Sequence, residues 1–302
     1  MTTVEVLAPA KINLTLHITG QRDDGYHLLD SLVVFAPVRD RLTIQDGNTL
    51  SLTVDGPEAL GVPTDMRNLA MQAANLVADG KGASLTLEKN LPAASGIGGG
   101  SADAAAALRG MLMRRDDIQA GDWVPPTDEM MTRLAAEILA LGADVPMCLM
   151  SKPCRARGIG EKLEFVTLPK LPALLVNPRV PVPTGTVFGG LTRRDNPPMP
   201  DQLPAFSDAP DLIDWLQDQR NDLQPPAVAA TPVIGEVIAY LEDLPGCRLA
   251  RMSGSGATCF ALFETEADAI AAGQTVADTQ PDWWLAGGLL GDQSDLAAPR
   301  VS

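Results

Sequence analysis

The segment Pro92-Ala93-Ala94-Ser95-Gly96-Ile97-Gly98-Gly99-Gly100-Ser101 constrains this chain more than any other. It sets four glycines within five positions, between a strand pattern at 83–89 and a helix pattern at 102–113. Glycines lack the Cβ atoms that keep a backbone away from a bound anion. The N–H groups at the start of the following helix, with the positive end of its dipole, point into the same space. Ser101 adds a hydroxyl for a phosphate oxygen or a bound magnesium ion. A flexible hinge is the plainer reading, but glycines this dense between such elements favour a phosphate cradle. Two familiar cradles are excluded. No GxxxxGK[ST] occurs, and the dinucleotide fingerprint fails because Gly96-x-Gly98-x-x leads to Ser101 where Gly or Ala is required.

The remaining pattern predicts an α+β chain. Ile12, Leu14, Leu16 and Ile18 alternate with Lys11, Asn13, Thr15 and His17, the period of a half-buried strand. A turn at 23–25 leads to expected strands at 31–34, 41–45 and 50–54, then a helix over 68–78. A second helix is expected at 128–141, with Thr127 as its N-cap and Gly142 as its stop. Residues 156–165 read as strand–turn–strand. Prolines are frequent from 169 to 210, and 196–204 reads as an irregular loop. A helix capped by Thr231-Pro232, strands at 247–252 and 257–263, a helix at 266–277 and a strand at 284–290 follow. That order predicts a smaller lobe with helices over one face of an antiparallel sheet, and a division of the chain near residue 165.

Composition narrows the partners. The 302-residue chain has 38 acidic against 23 basic residues and a net charge of −15, which repels nucleic acid and anionic membranes. Local backbone donors can still bind a phosphorylated small molecule. The four cysteines show no CxxC spacing and there are only two histidines, so a structural zinc site is not expected. Glu5 precedes the first cation and Pro9 breaks the opening segment, unlike a signal peptide. No apolar run approaches the ~20 residues of a membrane span. A cytoplasmic protein with reduced thiols is expected, as a monomer or weak homodimer.

Read alone, Lys11 is a solvated strand charge, and Asp144 a turn or capping carboxylate beside Pro146. Tyr26 and His27 read as local packing after a turn, and Ser253-Gly254-Ser255-Gly256 as a tight hairpin that could also meet an anion. Nothing local supports Asn68 or Lys89 as nucleotide contacts, although both could lie near one.

Three ordered segments change that weighting. Ala8-Pro-Ala-Lys-Ile-Asn-Leu14, the glycine loop, and Met252-Ser-Gly-Ser-Gly-Ala257 resemble the three motifs of the GHMP kinases. Asp24-Gly-Tyr-His-Leu28, Leu141-Gly-Ala-Asp-Val-Pro146, Ala156-Arg-Gly-Ile-Gly-Glu161 and Asn221-Asp-Leu223 extend the resemblance over nearly the whole chain. They point to the member that phosphorylates the 2-hydroxyl of a cytidylylated methylerythritol in the non-mevalonate isoprenoid pathway. Mevalonate- or homoserine-type kinases, a decarboxylase of the same fold, and an inactive nucleotide-binding regulator are the alternatives.

The resemblance implies a two-lobed fold, a ribosomal protein S5 domain 2-like lobe over 1–165 and a ferredoxin-like lobe over 166–302. It implies ATP and Mg²⁺ as cofactors, with residues 92–101 around the phosphates. Lys11 and Asp144 map onto the catalytic pair, Asp144 as the base. Asn13, Tyr26, His27, Asp144, Thr184 and Phe188 map onto the substrate site, with Tyr26 and Phe188 stacking on opposite faces of the cytosine. No acidic metal ligand set is evident. Ala93-Ala94-Ser95 and Ala102 stand where relatives often carry more Gly or a second Ser, which leaves the hydroxyl that meets magnesium undefined.

Overall fold

The structure, a computed structural model, describes residues 3–115 and 128–301. β1 (Val4–Asn13) and β2 (His17–Gln21) both pair with one long strand, β3 (His27–Asp46). The strands expected at 31–34 and 41–45 are therefore one strand, whose register against β1 shifts between Pro9 and Lys11. The alternation at 12–18 spans the gap between β1 and β2. Both of its faces are buried, Lys11, Asn13, Thr15 and His17 as well as the apolar set. A half-buried strand would leave its polar face wet. Here a cavity takes Lys11 and Asn13, while Met199 covers Thr15 and the Arg220 backbone N–H meets His17.

β4 (Leu50–Asp55) lies parallel to β5 (Ala83–Glu88), and the crossover between them carries α1 (Leu69–Val77). Asn68 is the N-cap of α1, its side-chain oxygen accepting from the Ala70 N–H at 2.9 Å. After the glycine loop, α2 (Gly99–Arg115) starts earlier than the predicted 102. Its first turn tolerates glycine because those N–H groups have no intrahelical acceptor to align with. α3 (Asp128–Leu141) matches its expected span, and Thr127, its expected cap, lies outside the described residues. α4 (Val145–Met150) is a short helix that periodicity cannot reveal. β6 (Cys154–Gly158) and β7 (Lys162–Phe165) form the expected strand–turn–strand and extend the first sheet from β3.

The second sheet opens with β8 (Leu171–Asn177), a strand hidden in the sequence by the prolines around it. Pro172 cannot donate to a ladder, but its carbonyl accepts from the Phe263 N–H at 2.9 Å. Four helices follow: α5 (Thr184–Gly189), α6 (Ala209–Gln217), α7 (Gln224–Ala230) and α8 (Val233–Glu242). Thr231 ends α7 rather than capping α8, and Pro232 precedes α8 without a side-chain cap. β9 (Leu249–Met252), β10 (Cys259–Leu262), α9 (Glu266–Thr279) and β11 (Trp284–Leu290) complete an antiparallel sheet ordered β11-β8-β10-β9. Thr265 caps α9, accepting from the Asp268 N–H at 3.1 Å. After α10 (Ser294–Ala297), β12 (Arg300–Val301) returns to pair with β1 in the first sheet.

Ala10, Ile12, Leu32 and Val34 of the first sheet share one buried cluster with Leu175, Phe260 and Leu262 of the second. The two sheets are therefore locked by apolar packing along β1, the strand that carries Lys11. No helix among the described residues is long and apolar enough to cross a membrane.

Candidate active site

The glycine loop leaves the end of β5, turns twice through left-handed glycines and enters α2. Gly96 has φ +77 and Gly98 φ +68, conformations that disfavour any side chain. Space is equally restrictive. A Cβ on Gly98 would lie 2.7 Å from Cγ of Lys11, and one on Gly96 would lie 2.4 Å from the Ser253 carbonyl oxygen. The Lys11 N–H donates to the Ile97 carbonyl at 3.0 Å, tying the loop to β1.

Ala94, Ser95, Gly96, Gly98, Gly99, Gly100 and Ser101 all line one cavity of about 900 Å³. Pro92, Ala93 and Ile97 do not. Pro92 and Ile97 are buried as anchors, and Ala93 faces solvent. The Ser95 hydroxyl donates to the Pro92 carbonyl at 2.6 Å, closing the turn. At the end of the loop, Gly99, Gly100 and Ser101 line the cavity with the first turn of α2, whose N–H groups have no intrahelical acceptor.

Lys11 and Asp144 meet across this space, Nζ to Oδ2 at 3.2 Å. The lysine side chain is 7% exposed and the aspartate 35%, so the cation is fixed while the carboxylate remains open to a ligand. Asn13, two residues along β1, accepts from Lys11 Nζ at 2.5 Å. Its amide donates to the Ser31 hydroxyl at 2.8 Å, which orients the carbonyl oxygen toward the lysine. Asp144 precedes α4 and makes no cap hydrogen bond, so the capping role suggested by its position is not used.

Tyr26, His27, Thr184 and Phe188 line the same cavity. The rings of His27 and Phe188 pack with centroids 4.9 Å apart, whereas Tyr26 is 61% exposed. Burial, reinforced by Arg194, holds the His27 imidazole below its ordinary pKa. Its Nε2 is buried and has no partner within the protein. A neutral ring with a free nitrogen is suited to hydrogen-bonding a polar heterocycle. Thr184 Oγ1 lies 3.1 Å from Ser255 Oγ, linking this group to the Ser253–Gly256 turn.

That turn meets the glycine loop directly. The Ser253 hydroxyl donates to the Gly96 carbonyl at 3.2 Å, and the Thr258 N–H donates to the Ser95 carbonyl at 3.1 Å. Two glycine turns from distant parts of the chain thus share one wall.

Comparison with known proteins follows the same lines. Residues 68–152 match the model for the GHMP kinases N terminal domain, and residues 203–281 that for GHMP kinases C terminal. A 4-diphosphocytidyl-2-C-methyl-D-erythritol kinase of Dinoroseobacter shibae is 56% identical over 92% of this chain and 92% of its own. One from Roseobacter denitrificans is 49% identical over 99% of this chain and 97% of its own. The chain belongs to the GHMP kinases.

Among solved structures, a 4-(cytidine 5'-diphospho)-2C-methyl-D-erythritol kinase superposes with a TM-score of 0.73 at 32% identity, covering 95% of this chain and 99% of that one. A homoserine kinase of Cytophaga hutchinsonii superposes at 0.65 with 19% identity, covering 99% of this chain and 97% of that one, a likeness of fold. The GHMP kinases take phosphate from ATP, in keeping with a cradle of backbone donors.

Within this GHMP kinase, Lys89 and Asn68 each have a structural role. Lys89 does not line the cavity but is buried with Asp40 and Asp103, and Asn68 is occupied in capping α1. Conversely, Leu16, Ile159 and Leu223 line the cavity and carry no chemical signal of their own. Ile159 and Leu223 fall in the 156–161 and 221–223 strings, which marked them as notable without indicating why. Cys148, Cys154, Cys247 and Cys259 are free thiols whose pKa values are raised by burial. Among the described residues no group of three or more His, Cys, Asp or Glu could hold a metal ion.

Proposed function

We propose that this chain phosphorylates the 2-hydroxyl of 4-diphosphocytidyl-2-C-methyl-D-erythritol with ATP. The observation that carries the reading is the Lys11–Asp144 pair at 3.2 Å, which lines one cavity together with the glycine loop and the packed His27 and Phe188 rings. Phosphoryl transfer needs little covalent help from the protein, and positioning with charge stabilisation does most of the work. The loop N–H groups hold the phosphates. Asp144 accepts the acceptor hydroxyl proton, and Lys11, beside it, stabilises the oxygen as it attacks. Asn13 fixes the lysine head. His27 donates or accepts through its free ring nitrogen, and Phe188 and Tyr26 supply apolar surface for the cytosine.

Mg²⁺ is the second cofactor in this reading. The donors present, the Ser101 hydroxyl and the Asp144 carboxylate, fit an ion carried in on the triphosphate with its own waters better than a dedicated protein cage. When bound, it neutralises charge on the phosphates. We further propose that the lobes divide near residue 165, with β12 returning to the first, and that the protein works in the cytoplasm as a monomer or weak homodimer.

Purified protein with ATP and Mg²⁺ is tested against the cytidylylated methylerythritol, mevalonate and homoserine. ADP release with the first alone is the expected result. No ADP with that substrate overturns the proposal.

A further inference from the structure

Behind the glycine loop, outside the cavity, three charged side chains are buried together. Lys89 follows β5 and is 4% exposed, Asp40 on β3 is fully buried, and Asp103 on α2 is 3% exposed. The Lys89 ammonium bonds Asp40 and lies 2.7 Å from Oδ2 of Asp103. The other oxygen of Asp40 accepts from the N–H groups of Asn90 and Leu91, at 2.6 and 2.9 Å. Those two residues lead the chain into the loop, and Asp103 sits in the helix that leaves it. A Cβ on Gly99 would lie 3.5 Å from Lys89 Nζ, so the ammonium stands directly behind the phosphate wall.

This cluster is an expensive way to fill space. Each buried ion costs several kcal/mol of desolvation, and well-packed apolar side chains of equal volume are often as stable or more so. Asp103 Oδ1 is buried without a partner, so the cluster is not even fully satisfied. What it does provide is geometry. One ammonium joins the strand entering the loop, the helix leaving it and the central strand of the sheet. A glycine-rich segment has the most conformational freedom to lose on ordering, on the order of 1–2 kcal/mol per residue. Pinning its two ends removes part of that cost before a ligand arrives.

We propose that Asp40, Lys89 and Asp103 are positioning residues for the triphosphate, a buried clasp that holds the two ends of the glycine loop so that its N–H groups converge on one anion. The inference rests on reading the loop as the ATP site. Burial pushes the Asp103 carboxyl up to about 8, against the pull of Lys89 and with the help of Asp40. Asparagine, which keeps an acceptor for the hydrogen bond to Lys89, is the conservative replacement.

The test compares Asp103→Leu, which keeps the volume and loses the acceptor, with Asp103→Asn. Steady-state kinetics with the cytidylylated methylerythritol are paired with calorimetric binding of a non-hydrolysable ATP analogue. Asp103→Leu is expected to raise KM for ATP and weaken analogue binding about tenfold or more, leaving KM for the acceptor within about twofold. Asp103→Asn is expected to recover most of that loss. ATP binding unchanged in Asp103→Leu overturns the clasp, and so does an equal loss in Asp103→Asn. Parallel losses in kcat and both KM values also overturn it, since they would mark general unfolding. If Asp103→Leu does not fold, Asp103→Gln, which moves the acceptor by one methylene, is judged by the same outcomes. Failure of the unsubstituted protein to bind the analogue overturns the nucleotide reading itself, a result distinct from a clasp that makes no difference.

Discussion

Gly96 and Ser253 touch through their backbones: a methyl group on Gly96 would sit 2.4 Å from the Ser253 carbonyl oxygen, and the Ser253 hydroxyl already donates to the Gly96 carbonyl at 3.2 Å. This contact sets the distance between the two glycine turns that wall the cavity. Gly96→Ala forces both a left-handed alanine and a backbone clash. It is expected to cost about 2–3 kcal/mol of stability and to weaken ATP binding, read by thermal melts and KM for ATP.

Asp144 makes no structural hydrogen bond through its side chain at the start of α4, and its partner in the cavity is Lys11. Asp144→Asn is therefore expected to lower kcat by roughly 10²–10⁴ while the affinity for ATP stays near that of the parent. Collapse of ATP binding would show instead that the carboxylate is structural.

Arg109 on α2 is buried and has only backbone acceptors. It donates to the carbonyls of Cys148 and Leu149 at the end of α4, at 2.8 and 3.1 Å, and of Leu7 on β1 at 2.9 Å. Burial brings its pKa down to about 10. Since β1 carries Lys11 and α4 follows Asp144, the guanidinium braces the elements that carry the Lys11–Asp144 pair. Arg109→Met removes the guanidinium donor from the Leu149 and Leu7 carbonyls, while Cys148 keeps the Ser151 hydroxyl at 2.9 Å, and is expected to cost about 3 kcal/mol, measured by urea unfolding.

Acid should destabilise the fold through His17. Burial, followed by Arg220, lowers its pKa from 6.5 to about 4. Its Nε2 accepts from the Arg220 N–H at 3.3 Å, which requires an unprotonated nitrogen. The folded protein binds the proton less readily than the unfolded chain, so this contribution is present above 6.5 and is lost as pH falls toward 4. Melting temperatures at pH 7 and pH 5 are expected to differ by less in His17→Gln than in the parent, by about 3–5 °C.

Phe188 packs on His27 with ring centroids 4.9 Å apart, and both rings line the cavity. Phe188→Ala is expected to raise KM for the cytidylylated acceptor about tenfold with little change in KM for ATP. An equal rise in both would place the ring outside the acceptor site.

The sequence by itself determined the features whose physics is local. The glycine loop was legible because glycine freedom and unpaired helix N–H groups belong to a few adjacent residues. The strand–turn–strand at 156–165 depends on equally short range. The Lys11–Asp144 pairing was not readable from either residue alone. It came from the ordered GHMP motifs, and its geometry exists only because β1 and the start of α4 meet across the sheet. Tertiary structure alone decided what was buried. It turned Lys89 from a candidate nucleotide contact into the centre of a charged cluster, covered the polar face of 12–18, and made a central strand of the proline-flanked β8. Burial and long-range contact depend on what the rest of the chain brings alongside, and no local pattern carries that information.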